Sequence, residues 1–227
     1  KLVLDGVDNV EIVAYDGSEV IFTNKRARDD ERSERAKGLK AINSLGLDDN
    51  SGIGLSVLKD GANLTVNQIG QGHGDEGNYT IRIPKSMSVD YSHSTYNSDE
   101  LSIEGVDKEI VVSTNYTNIK LSDVTGPMSV KTVYGDIEAQ FSTVNQNSSV
   151  SLNSVYGLVD TAIPSGSKAN LTLKTPYGQI YTDFDIDVNS DGGMRELSSK
   201  KINGTINNGG VDFMIKSGYE NIYLRSK

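Results

Sequence analysis

Four carboxylates, Asp136, Glu138, Asp160 and Asp183, stand at outward positions of strand-like segments in which apolar and polar residues alternate. Hydrolysis or elimination of a glycan needs a close pair of such groups, or a base beside a metal, on an open groove. No basic or aromatic sugar platform accompanies them in the sequence. A second candidate is DVNSDG, where Asp187, Asn189, Asp191 and Gly192 match the opening of a calcium loop. The bidentate Glu that should close such a loop is missing, because Ser198 stands at its place and Glu196 falls early. Phe184, Ile186 and Val188 alternate with Asp183, Asp185 and Asp187, so a strand end before Gly192-Gly193 is the favoured reading and no bound metal is expected. The two histidines, His73 and His93, lie in polar contexts without partners at metal-ligand spacing, and both are expected to face solvent. GQGHGDEGN opens no helix after a strand, so it reads as a loop and not as a phosphate cradle. No residue stands out as a cofactor ligand, and none is assigned a catalytic role.

The elements that must position these groups are written into a repeat. VKTVYGDIEAQF, LNSVYGLVDTAIP and LKTPYGQIYTDFDI are variants of one pattern, and Tyr116, Tyr134, Tyr156, Tyr177 and Tyr219 align at steps of about twenty residues, the last step being double. Six positions before each Tyr stand Ile110, Met128, Val150, Leu171 and Phe213; four before stand Val112, Val130, Leu152, Leu173 and Ile215. Two before stand Thr114, Thr132, Ser154, Thr175 and Ser217, and three after stand Ile119, Ile137, Val159, Ile180 and Ile222. The first three columns share one strand face, whereas the last has shifted parity. Something must break the alternation, and Gly135, Gly157 and Gly178 directly after the Tyr are placed to take a corner conformation.

Each unit therefore reads as strand, glycine corner, strand and polar return. Stacking of these units gives an all-β fold: a single-stranded parallel β-helix or β-solenoid of about 20–22 residues per coil, right-handed by the crossover rule, with a Thr/Ser ladder along one edge. Residues 91–227 are expected to form the solenoid and residues 1–90 a capping part of the same domain. In that cap VEIVAYDGSEVIFT and GLSVLKDGANLTVNQIG read as hairpins around Asp16-Gly17 and Asp60-Gly61, and residues 30–44 as one short helix. KINGTI supplies Asn203, Gly204 and Ile206 where Tyr, Gly and Ile are due, and so reads as a degenerate coil between Tyr177 and Tyr219.

Composition limits the partners. A formal charge of −9 disfavours nucleic acid and anionic membrane, and NKRARDDERSERAKGLK interleaves its cations with Asp29, Asp30, Glu31 and Glu34. The chain holds no cysteine and no apolar run of membrane-spanning length. It begins with Lys, which is read as a mature form with any export signal removed. NYTIRIPKSMSVDYSHSTY, LSDVTGPMSVKTVYGDIEAQF and INNGGVDFMIKSGYENIYLRSK resemble the bacterial putative-adhesin family, a β-strand-repeat domain of exported envelope proteins. The resemblance implies a β-helical fold, an extracytoplasmic location and no catalytic residues. The function expected is a non-catalytic surface recognition or scaffolding module for a glycan or protein ligand, with a polysaccharide lyase or hydrolase as the alternative.

Overall fold

The computed structural model describes residues 1–24, 37–69, 78–188 and 200–227. Period-two alternation produces short strands throughout. The first are β1 (Leu2–Asp5), β2 (Val10–Tyr15), β3 (Ile21–Asn24), β4 (Leu55–Asp60), β5 (Asn63–Gln68), β6 (Tyr79–Pro84) and β7 (Val89–His93). The repeat proper contributes β8 (Glu100–Glu104), β9 (Ile110–Thr114), β10 (Asn118–Val124), β11 (Met128–Thr132), β12 (Ile137–Phe141), β13 (Val150–Ser154), β14 (Val159–Ile163), β15 (Ala169–Thr175) and β16 (Ile180–Thr182). Last come β17 (Asp187–Val188), β18 (Lys200–Ile206), β19 (Val211–Ser217) and β20 (Ile222–Ser226).

These strands form an 11-stranded and a 9-stranded sheet, both mostly parallel, and each coil gives one strand to each. Residues of like column lie side by side: Ile110, Met128 and Val150 are register partners, as are Ile119, Ile137 and Val159. Their side chains meet between the sheets in one continuous apolar core, where Ile137, Val159, Leu152 and Ile215 are fully buried. Burial of alternate residues on both sheets is the main driving force for this arrangement.

The order of coils in space is not their order in sequence. It runs β5/β6, β1/β2, β7/β8, β9/β10, β11/β12, β13/β14, β19/β20, β15/β16. The first and last coils of the chain are therefore each tucked in second from an end. The C-terminal coil fits because its columns repeat those of both neighbours: Phe213 and Ile215 pair with Val150 and Leu152 on one side and with Leu171 and Leu173 on the other. The parallel stack consequently reaches back beyond residue 91, through β1, β2, β5 and β6.

Three sequence expectations change. KINGTI is no coil: β18 runs antiparallel to β15, with Leu171 opposite Gly204, and Tyr219 follows Tyr156 in space, where the single-step repeat had put Tyr177. Gly204 admits the backbone of β17, since a Cβ there would lie 2.6 Å from the Asp187 carbonyl oxygen. VEIVAYDGSEVIFT is no hairpin either, because β6 lies between β2 and β3. Val10 and Ile12 are claimed by parallel neighbours on both sides, which leaves β3 to close the edge antiparallel. The helix expected at 30–44 falls partly outside the described residues; within 37–44 the chain forms turns, with Ile42 bridged to Asp48, and Leu39 and Ile42, which an amphipathic helix would bury, stay exposed. The hairpin at Asp60-Gly61 does form, with Gly61 at a φ of 57°.

At each end of the stack a side chain takes up outward backbone. β4 closes the larger sheet antiparallel, and the Asn50 side chain satisfies the outward backbone of Val57, accepting from its N–H at 2.8 Å and donating to its carbonyl at 2.9 Å. At the other end Lys200 Nζ donates to the Gly178 carbonyl at 2.7 Å. Contacts of this kind shorten the free backbone row that would otherwise recruit further strands. Among the described residues no helix is long and apolar enough to cross a membrane.

Candidate functional site

The corner between the two sheets repeats one chemistry in the coils of Tyr134, Tyr156, Tyr177 and Tyr219, whereas the Thr114 hydroxyl of the Tyr116 coil is buried without a hydrogen-bond partner among the described residues. The hydroxyl of the Ser/Thr two before the Tyr turns inward and accepts the backbone N–H three residues on: Gly157 N to Ser154 Oγ at 2.9 Å, Gly178 N to Thr175 Oγ1 at 2.9 Å, Glu220 N to Ser217 Oγ at 3.0 Å. The same hydroxyl donates to the neighbouring coil: Ser154 Oγ to the Gly135 carbonyl at 2.8 Å and Ser217 Oγ to the Gly157 carbonyl at 2.9 Å. The Thr/Ser ladder is thus buried, and it ties corner to corner. Glycine is required for close approach. None of Gly135, Gly157 and Gly178 has a positive φ, yet a Cβ on each would lie 1.9–2.1 Å from a backbone oxygen of the adjacent corner.

With the hydroxyls turned in, the tyrosines are turned out. Tyr116, Tyr134, Tyr156, Tyr219 and Tyr177 stack in that order, with centroid separations of 5.0, 4.9, 4.7 and 5.0 Å and interplanar angles between 6° and 16°. The spacing follows that of the strands beneath. Each ring is between 44% and 72% exposed, and among the described residues none of the five hydroxyls has a protein partner. Neighbouring rings cover one another's faces, so the row presents edges and hydroxyls. Tyr96, twenty positions before Tyr116, is also exposed but lies outside the stack.

The outward carboxylates serve the scaffold. Asp136 Oδ1 accepts Leu158 N at 2.9 Å, and Asp160 holds Arg225 in a two-point ion pair at 2.8 and 2.7 Å. Asp183 accepts from Ser226 Oγ and Ser226 N, and these bonds hold its carboxyl below the usual range. Glu138 and Asp160 are register neighbours on adjacent strands, with Lys120 on the far side of Glu138. Arg225 also lies over Tyr223, which stacks on Tyr181 at 5.2 Å.

Of the histidines, His73 lies outside the described residues, whereas His93 contradicts its expected exposure. It is buried on the inward face of β7, with Nε2 2.7 Å from Asp8 Oδ1 and the ring stacked on Tyr91. Gln68 completes the cluster by donating to Asp8 Oδ2 at 2.9 Å and accepting the Asp8 N–H at 2.8 Å. The Tyr91 hydroxyl donates to the Val7 carbonyl at 2.8 Å, and burial pushes its ionisation well above the ordinary tyrosine value. This is a polar pin inside the core, satisfied almost throughout, as burial demands. Asp187 of the calcium candidate is exposed in β17, while Asn189 and Asp191 lie outside the described residues. Among the described residues no group of three or more metal-ligating side chains converges.

Two mostly parallel sheets built from one corner repeat, with an outward tyrosine row, define a β-repeat scaffold whose recurring exposed feature is a surface. The chain belongs to the Toastrack DUF4097 family, whose model matches residues 71–225, and so to the bacterial β-repeat proteins that the putative-adhesin resemblance indicated. A solved structure of a putative cell adhesion protein from Clostridium sporogenes ATCC 15579 is similar over 100% of this chain and 92% of that chain, with a TM-score of 0.47 and 11% identity. No curated protein matches the chain in sequence.

Proposed function

We propose that the protein is a non-catalytic, extracytoplasmic recognition or scaffolding module that meets its partner along the tyrosine-lined corner. The observation that carries this reading is the row of five stacked, exposed tyrosines whose hydroxyls have no protein partner among the described residues. Tyrosine provides a large contact area with few rotatable bonds to immobilise, and its hydroxyl both donates and accepts, so a rigid row of it suits an extended macromolecular ligand. A glycan or a protein of the envelope or host fits that description. Nucleic acid fits poorly: the net charge is −9, and bases need the open ring faces that this stack covers. The polysaccharide-enzyme alternative is weakened because Asp136, Asp160 and Asp183 hold backbone, Arg225 and Ser226.

A glycan and matrix-protein array tests the reading with wild type and a Tyr134→Ser/Tyr156→Ser variant of verified fold. The expected result is at least one ligand whose binding falls about tenfold or more in the variant, the loss typical of removing interface anchors. Release of new sugar ends, abolished by Asp136→Asn, Glu138→Gln or Asp160→Asn, would instead establish a hydrolase or lyase.

A further inference from the structure

We propose that the outer face of the larger sheet, beside the tyrosine row, is a track for a linear acidic polysaccharide; this deepens the recognition-module reading and rests on it. Strand pairing gathers cations that are scattered in sequence. Lys131 is the register partner of Asn153, Asn153 of Lys216, Lys216 of Lys174, and Lys174 of Lys201. One outward column thus reads Lys, Asn, Lys, Lys, Lys across β11, β13, β19, β15 and β18. Lys131, Lys216 and Lys174 each stand three residues before a ladder tyrosine, at the last outward position before the corner.

None of these four ammonium groups has a carboxylate partner among the described residues. Lys1, Lys85, Lys120 and Arg225, by contrast, are each paired. The next outward column up the strands, Ser129, Ser151, Met214, Thr172 and Asn203, contains no carboxylate either. Carboxylates stand at the margins: Glu220 follows Tyr219 on the corner, and Asp212 lies 3.1 Å from Asn170 Nδ2. A chain that is acidic as a whole has therefore set aside a cationic, hydroxyl-rich strip against its row of phenols.

The geometry selects among polyanions. The strip repeats at the inter-strand spacing of about 4.8 Å, close to the advance of one β-linked pyranose along an extended glycan. An extended acidic peptide advances about 3.3 Å per residue and points alternate side chains away, so its charges fall out of step. Single-stranded nucleic acid lacks open ring faces on which to stack. Lysine ammoniums are rotatable point charges that suit uronate carboxylates in varied orientations, and the tyrosine hydroxyls match sugar hydroxyls as donors and acceptors.

The test is titration of the full chain with a β-linked oligomannuronate long enough to span the row, beside the same oligomer after carboxyl reduction, poly-glutamate and oligo-thymidylate. The oligomannuronate should bind at low salt, and its affinity should fall about tenfold or more at physiological salt, as expected for several ion contacts. Lys131→Gln/Lys174→Gln/Lys216→Gln, with or without Lys201→Gln, should lower that affinity about tenfold or more at an unchanged melting temperature. Lys59→Gln/Lys108→Gln should not. Equal binding of the carboxyl-reduced oligomer, or full binding by the lysine variants, would overturn the acidic-glycan track while leaving the tyrosine-based module standing. Poly-glutamate or oligo-thymidylate binding as tightly as the oligomannuronate would overturn the glycan assignment, as would no binding of the oligomannuronate at low salt.

Discussion

Gly157 lies where two corners pack with no room for a side chain. A Cβ there would be 2.1 Å from the Gly135 carbonyl oxygen, which also accepts from Ser154 Oγ, and 2.6 Å from Asp136 Oδ1, which is bonded to Leu158 N. Neither atom can yield without breaking a hydrogen bond between coils, the first of them buried. Gly157→Ala should therefore cost about 2 kcal/mol or more, seen as a lowered thermal midpoint; an unchanged melt would mean that adjacent corners can spread. At this scale much is legible in the sequence. The inward place of His93 is written in its alternation with Val89 and Tyr91, both fully buried. The lysine strip was also visible in the repeat, three positions before the tyrosines. What concealed it was distance along the chain, because Lys131, Lys174 and Lys216 are neighbours only after the strands pair.

Within a coil, adjacent residues have opposite fates. Ile137 is fully buried between Ile119 and Val159, whereas Asp136, just before it, offers one oxygen to a backbone N–H at the surface. Ile137→Asp should cost about 3 kcal/mol or more, since it places an unpaired carboxylate in the apolar core. Asp136→Asn keeps the accepting oxygen and should change stability by less than about 0.5 kcal/mol in the same melts. Equal tolerance at both positions would refute the register. Strand faces, corners and the parallel stack could be read from column chemistry, because period two and burial determine them together. The order of the coils could not. Leu152 accepts Ile215 or Leu173 as a neighbour equally well, so the columns that announce the repeat leave open which coil follows which. KINGTI misled for the same reason, offering the right residue types in a strand that runs antiparallel.

Over the whole molecule, the tucked-in coils reverse the usual distribution of stability, in which chain ends fray first. β19 and β20 are hydrogen-bonded on both sides, to β13 and β15 and to β14 and β16. Native-state hydrogen exchange should protect the amides of Phe213, Ile215 and Leu224 as strongly as those of Val130 and Ile137. Exchange there at the rate of an ordinary terminus would show that the coil slips out independently. The same placement governs how the protein would carry mechanical load. A pull on Lys227 acts on a strand clasped by two rows of hydrogen bonds, and the Lys227 backbone is itself linked in both directions, donating to Ile163 and accepting from Ser165. Tension applied through Leu2 and Lys227 would thus reach coils inside the stack, each second from an end, where peeling one strand means tearing two seams at once.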